Sequence, residues 1–169
     1  MKKALILAAP NFQDIELLYP KIRLTEAGIK VTVAGLGEDS YKGKYGYPVD
    51  CDADIKNVRP LEYDAIIIPG GWAPDHIRQS KAALNAVKTL HKKGRVVAAI
   101  CHGGWVLASA GIIKGKAVTS YIAIKDDMIN AGAHWTDKEV VVDQNIITSR
   151  KPDDLPAFMK AILKQLNAK

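Results

Sequence analysis

Arg95-Val96-Val97-Ala98-Ala99-Ile100-Cys101-His102-Gly103-Gly104-Trp105 is an apolar run that ends on a cysteine, followed at once by histidine, two glycines and a helix-like segment. The first half reads as a buried strand, because its apolar residues do not alternate with polar ones. The second half reads as a sharp strand-to-helix turn that delivers the Cys101 thiol to the carboxyl edge of a sheet. There the N–H of the next residue and the positive end of the following helix lie beside the sulfur. Both favour thiolate over thiol, so a lowered pKa is expected. The arrangement is the sulfur counterpart of a serine nucleophile elbow.

Outward from that turn, strand-like and helical patterns alternate. Lys3 to Ala9, Ile29 to Ala34 and Ala65 to Ile68 read as strands, and Val140 to Thr148 contains strand-like runs. Asp14 to Gly28, Ala82 to Lys93, His102 to Ala110 and Lys125 to Ala131 read as helices. Gly35 to Asp54 is turn-rich and polar, with a short hairpin expected around Tyr45 to Asp50. Pro152-Asp153-Asp154 opens a final amphipathic helix that reaches Leu166, its acidic pair facing the positive helix end. No linker, repeat or low-complexity stretch interrupts the 169 residues, so one domain over 1–169 is expected. The pattern predicts an α/β fold: a mostly parallel sheet with helices on both faces. Ligands gather at the carboxyl ends of such strands, where Cys101, Gly70-Gly71 and the region of Glu16 should meet.

Composition narrows the function classes. A hydrophobic fraction of 48% and a charged fraction of 25% are those of an ordinary globular protein. The net charge of +6 is scattered along the chain, which predicts solvated surface and no nucleic-acid partner. No apolar run is long enough for a membrane span, and the short run after Met1-Lys2-Lys3 gives way to Asn11-Phe12-Gln13-Asp14, so a cytoplasmic location is expected. Two cysteines, Cys51 and Cys101, make no disulfide framework, and four scattered histidines offer no metal-ligand spacing. Neither a metal nor an organic cofactor is expected: Gly70-Gly71 lacks the Lys-Ser/Thr of a phosphate loop, and Ala8-Ala9-Pro10 lacks a dinucleotide glycine pattern.

Cys101 is the candidate nucleophile. His102 is a candidate base and acid, although consecutive side chains on a turn usually point apart, and its backbone N–H alone would serve an oxyanion hole. Gly70-Gly71 offers a second oxyanion donor or a plain tight turn. Glu16 lies beside an apolar helix face. Buried near sulfur, its carboxyl would be raised in pKa and able to donate a hydrogen bond, but as a residue it reads like any surface glutamate.

Ala99-Ile100-Cys101-His102-Gly103, Pro69-Gly70-Gly71-Trp72-Ala73-Pro74-Asp75, Thr119-Ser120-Tyr121 and Lys125 to Trp135 together resemble the ThiJ/PfpI superfamily, most closely its PfpI-type intracellular cysteine proteases. The resemblance runs from the first strand to the terminal helix. It implies a flavodoxin-like sandwich of the class I glutamine amidotransferase-like type, with Cys101 at the elbow and Glu16 hydrogen-bonding the nucleophile. It also implies an oxyanion hole from the amides of Gly71 and His102, with Gly70 beside it and Tyr121 lining the pocket. An acidic residue reaching from a neighbouring subunit to orient the histidine would here be Asp75, one methylene shorter than the usual glutamate. Gln13 stands where many relatives carry a second acid. A homodimer or larger homo-oligomer is implied.

Three functions follow from the motif. The first is a hydrolase whose Cys101 thiolate attacks a carbonyl, either of a peptide or of a small aldehyde such as methylglyoxal, in glyoxalase or deglycase chemistry. The second is a redox-sensing stress-response protein with an exposed, oxidisable Cys101. The third is a binding or chaperone module. Peptide hydrolysis demands more than aldehyde chemistry, because an amine must be protonated as it leaves and an extended chain must be seated.

Overall fold

The computed structural model describes residues 1–168. Its centre is a seven-stranded sheet whose strands lie in the order Val140–Asp143, Ile146–Ser149, Val96–Ile100, Ala65–Ile68, Lys3–Leu7, Lys30–Gly35, Ala53–Asp54. Five of these strands, β1 (Lys3–Leu7), β2 (Lys30–Gly35), β5 (Ala53–Asp54), β6 (Ala65–Ile68) and β7 (Val96–Ile100), run parallel. β11 (Ile146–Ser149) is parallel to β7, and only β10 (Val140–Asp143) runs against its neighbour, as the first arm of a hairpin. Two small ribbons lie outside the sheet: β3 (Ser40–Lys42) with β4 (Pro48–Asp50), and β8 (Ala117–Val118) with β9 (His134–Trp135). The helices are α1 (Asp14–Glu26), α2 (Ala73–Ile77), α3 (Lys81–Lys92), α4 (Gly104–Ser109), α5 (Lys125–Asn130) and α6 (Leu155–Gln165).

The expected α/β architecture is the one observed. Ala4 to Leu7, Ala65 to Ile68 and Val96 to Ile100 are buried throughout, as their unbroken apolar runs require. Each buried Ile or Leu adds about 1.5–3 kcal/mol of stabilisation. The crossover from β1 through α1 to β2 moves toward one sheet edge, whereas that from β6 through α3 to β7 moves toward the other. Right-handed connections running in opposite directions place their helices on opposite faces. Accordingly α1 packs with α6, and α3 packs with α4. The winding reverses between β1 and β6, so the crevice at their carboxyl ends is where such a fold leaves room for a ligand.

Three departures from the sequence expectation bear on the site. The hairpin predicted around Tyr45 to Asp50 begins earlier, at Ser40, and its turn spans Gly43 to Tyr47. Tertiary contacts fix that turn: the Asp14 carboxylate accepts the N–H groups of Tyr45 (3.0 Å) and Tyr47 (3.2 Å), and Lys44 N–H donates to the Phe12 carbonyl (2.8 Å). The helix after Cys101 opens with a 3-10 turn over Cys101–Gly103 before becoming α-helical. Finally α2, only five residues long, carries too little periodicity to stand out in the sequence. No helix is long and apolar enough to cross a membrane among the described residues.

Candidate active site

β7 ends on Ile100 in extended backbone, and Cys101 then adopts φ +60° before the chain enters the turn to α4. A non-glycine residue there carries strain of about 1–2 kcal/mol. The reversal swings the thiol back over the sheet edge, so that Sγ and the His102 Nδ1 lie 3.3 Å apart. Consecutive side chains are thus brought together where a regular turn would separate them.

Glu16, in the first turns of α1, is fully buried, and its Oε2 accepts the Gly70 N–H at 2.8 Å. Oε1 is buried with no hydrogen-bond partner. Gly70 leaves room for both groups: a Cβ there would lie 2.5 Å from Glu16 Oε2 and 3.0 Å from Cys101 Sγ. Gly71 follows at φ +74°, held by a bridge to Phe12 in which Gln13 N–H donates to Gly70 O (3.1 Å) and Trp72 N–H to Asn11 O (2.9 Å). This leaves the Gly71 N–H free of the bridge. It and the His102 N–H both stabilise charge on Sγ.

The electrostatics overturn one expectation. Cys101 is neither openly exposed nor lowered in pKa: it is 9% exposed, and burial pushes the thiol up to about 12. The nearby Glu16 charge adds to this rise, and the two backbone amides oppose it. Loss of water outweighs the short α4 dipole. Burial likewise raises Glu16 to about 7, against the Gly70 amide and the more distant Lys44. The two acids therefore hold both protons in mild acid, and Glu16 gives up its own first, near 7. Raised values mean that charge appears later on the pH scale, so alkylation of Cys101 by iodoacetamide is expected to be slow at pH 5 and to keep accelerating well above pH 7, toward about 12. Glu16→Gln removes a charge that adds to this rise, so it should bring the acceleration to lower pH; a wild-type rate already maximal at pH 5 would contradict the raised thiol. Cys51, pushed up to about 11 by burial and then by Asp52, stays slow at neutral pH.

Around this centre lies a cleft of about 220 Å³. Cys101, His102, Gly71 and Tyr121 line it, as do Trp72, Gln13, Lys44 and Pro152. The His102 ring stacks on Tyr121 (5.1 Å between centres), meets Trp105 edge-on (5.1 Å) and has Trp72 at 6.2 Å. Burial, with Lys44 behind it and Asp127 opposing, lowers the His102 pKa, so the ring is neutral near pH 7. Tyr121 is also fixed through its backbone, donating its N–H to the Cys101 carbonyl (3.2 Å).

Cys101, His102, Glu16, Gly70, Gly71 and Tyr121 are thus brought together. Asp75 is not: it sits exposed on α2, outside the cleft, with no side-chain partner among the described residues. Lys44 and Pro152 were not foreseen. Lys44 arrives through the hairpin turn held by Asp14. Pro152 follows Arg150, whose guanidinium donates to Asp154 (2.8 and 3.0 Å) and to Asp137 (2.7 Å). Neither position carries a local sequence signal, because long-range contacts put it there.

The sequence pattern of the DJ-1/PfpI family matches residues 2–165. The chain belongs to the DJ-1/PfpI family. Among its relatives, a protein of Pyrococcus abyssi named a deglycase is 47% identical over 164 residues, covering 97% of this chain and 99% of that one. Deglycase PfpI of Pyrococcus furiosus is 46% identical with the same coverage. Among solved structures, a two-domain protein of Anabaena variabilis, with DJ-1/ThiJ/PfpI-like and ferritin-like domains, superposes with a TM-score of 0.96 at 41% identity. That match takes in 99% of this chain and 48% of the larger one, so the DJ-1/PfpI chain corresponds to about half of that protein.

Proposed function

We propose that the protein is a cysteine-dependent enzyme acting on small reactive carbonyl compounds, with methylglyoxal-type 2-oxoaldehydes and their adducts as substrates in glyoxalase or deglycase chemistry. The observation that carries this reading is the cluster of Cys101 Sγ, His102 Nδ1 at 3.3 Å and two inward-facing backbone amides in a cleft of only about 220 Å³. Sites for drug-sized ligands run to about 300–1,000 Å³, so this one is scaled to a few heavy atoms rather than an extended peptide. Two relatives at 46–47% identity are named deglycases, which supports the same reading.

The chemistry follows from the geometry. Sγ bonds to the aldehyde carbon, and the carbonyl π pair moves to oxygen, which the Gly71 and His102 N–H groups stabilise. Neutral His102 takes the thiol proton as the bond forms and returns it to that oxygen, giving a hemithioacetal. Glu16, protonated, donates to the sulfur and holds it in place. Moving the C1 hydrogen to C2 as a proton, through an enediol, oxidises C1 to a thioester and reduces C2 to an alcohol. Water then releases lactate and regenerates Cys101. Atoms and electrons balance within the substrate plus one water, so no external oxidant is needed.

Within one chain, no carboxylate among the described residues hydrogen-bonds the second nitrogen of His102. Asp75 of a neighbouring subunit is proposed to supply one, in a homo-oligomer. Asp75→Ala should then lower turnover about 10- to 100-fold without altering oligomer size by size-exclusion chromatography; unchanged turnover would retire the inter-subunit partner. The reading as a whole is tested side by side with methylglyoxal and casein. Lactate from methylglyoxal with casein untouched is the expected result; casein cleavage without lactate would replace the reading with a peptidase. Sulfinic acid at Cys101 under mild peroxide, with both assays silent, would replace it with a redox sensor.

A further inference from the structure

One charged side chain that lines the cleft has no part in the proposed reaction. Lys44 lines the cleft from the turn between β3 and β4. Its backbone is anchored to Phe12 (2.8 Å), and its Nζ rests 5.2 Å from the centre of the Tyr45 ring, with no ion-pair partner among the described residues. The other residues at the mouth, Gln13, Trp72, Tyr121 and Pro152, are uncharged. The one carboxyl close to the nucleophile, Glu16, is sealed beneath it. Asp127 acts on His102 from α5 but does not line the cleft. A solute that enters therefore meets one unneutralised cation and two backbone N–H donors, and no competing surface anion. In a space this small, a group bonded directly to the reacting carbon lies within reach of that cation's field.

We infer that Lys44 forms an anion subsite, through which the cleft selects small carbonyl compounds that carry a carboxylate beside the reactive carbon. This rests on the reading of Cys101 as the nucleophile, and it adds an anionic class of ligand to the neutral 2-oxoaldehydes. Such ligands are 2-oxo acids with an aldehyde carbon, and aldehyde adducts bearing an adjacent acidic group. An anionic substrate is ordinarily repelled by a thiolate, and Lys44 offsets that repulsion. Glyoxylate is a suitable probe. Its aldehyde carbon can bond to Sγ as a reversible hemithioacetal, but its neighbouring carboxylate cannot be reduced as C2 of a 2-oxoaldehyde is, so the reaction halts there.

The test uses two alkylating agents of nearly equal size, neutral iodoacetamide and anionic iodoacetate. Their rate ratio at Cys101 cancels any change in thiolate population. An ordinary thiol, such as that of N-acetylcysteine amide, favours the neutral reagent. In the wild-type protein the iodoacetate-to-iodoacetamide ratio should stand about five-fold or more above that reference, and fall back about five-fold in Lys44→Met and in 1 M salt. Glyoxylate should also protect Cys101 at lower concentration than neutral glycolaldehyde does, a preference lost in Lys44→Met. The same ratio in wild type and Lys44→Met would overturn the subsite. Methylglyoxal turnover, measured in parallel, keeps the two ideas separable: absent lactate with an intact ratio retires the proposed reaction and leaves the subsite standing. Lactate formed by a protein whose ratio ignores Lys44 overturns the subsite alone.

Discussion

Cys101→Ser is expected to stop the conversion of methylglyoxal to lactate, lowering kcat by about 10³-fold or more, while the melting temperature stays within about 2 °C of wild type. The substitution exchanges one small atom for another and keeps the φ +60° backbone, so neither packing nor the turn is disturbed. The chemistry is lost because a serine hydroxyl is a far weaker acid than a thiol and a poorer nucleophile toward carbonyls. His102 at 3.3 Å has no second base behind it among the described residues to compensate. An enzymatic lactate assay with scanning calorimetry on the same preparations checks both halves. Turnover above about one per cent of wild type would mean that the oxygen and nitrogen groups around the cleft carry the reaction without sulfur.

The second large effect is expected at a residue with no side chain. Gly71→Ala should lower kcat about 10²- to 10³-fold and the melting temperature by about 5 °C or more. Two penalties combine. An alanine at φ +74° costs about 1–2 kcal/mol, and its Cβ would lie 2.4 Å from Gln13 N and 2.5 Å from Asn11 O. Both are backbone atoms that cannot swing aside, so the peptide must shift and its N–H leaves the sulfur. Gly28→Ala provides the control: its φ is +71°, but nothing lies within 4 Å of a Cβ there, and it caps α1 away from the cleft. It should cost some stability and no turnover. Equal kinetic losses in the two variants would show that the Gly71 amide takes no special part.

These two residues also mark what the sequence makes legible. The central strands were readable because burial on both faces leaves an unbroken apolar run, as in Ala65 to Ile68 and Val96 to Ile100. The glycine pair and the cysteine followed because each stands where such a run ends. Glu16 could not be told from a surface glutamate by its neighbours alone; its burial depends on Gly70, 54 positions away. Lys44 depends on the register of β3 with β4 and on Asp14, so no local pattern reveals it. The thiol's raised pKa was likewise invisible, since a motif conveys the donors around a sulfur but not how much water it has lost. The pairing of Cys101 with His102 was open to the sequence, but its geometry was not: it needs a backbone angle that statistics for cysteine would discourage.

The ring arrangement around His102 has an optical consequence. Two of the chain's three tryptophans, Trp105 at 5.1 Å and Trp72 at 6.2 Å, lie beside this imidazole, whereas Trp135 donates its indole N–H to Ser120 (3.0 Å). A protonated imidazole quenches indole emission at such separations, and a neutral one does so far less. Because the ring is held neutral near pH 7, its acidification darkens the two tryptophans together, and the protein's own fluorescence becomes a titration of the imidazole that faces Cys101.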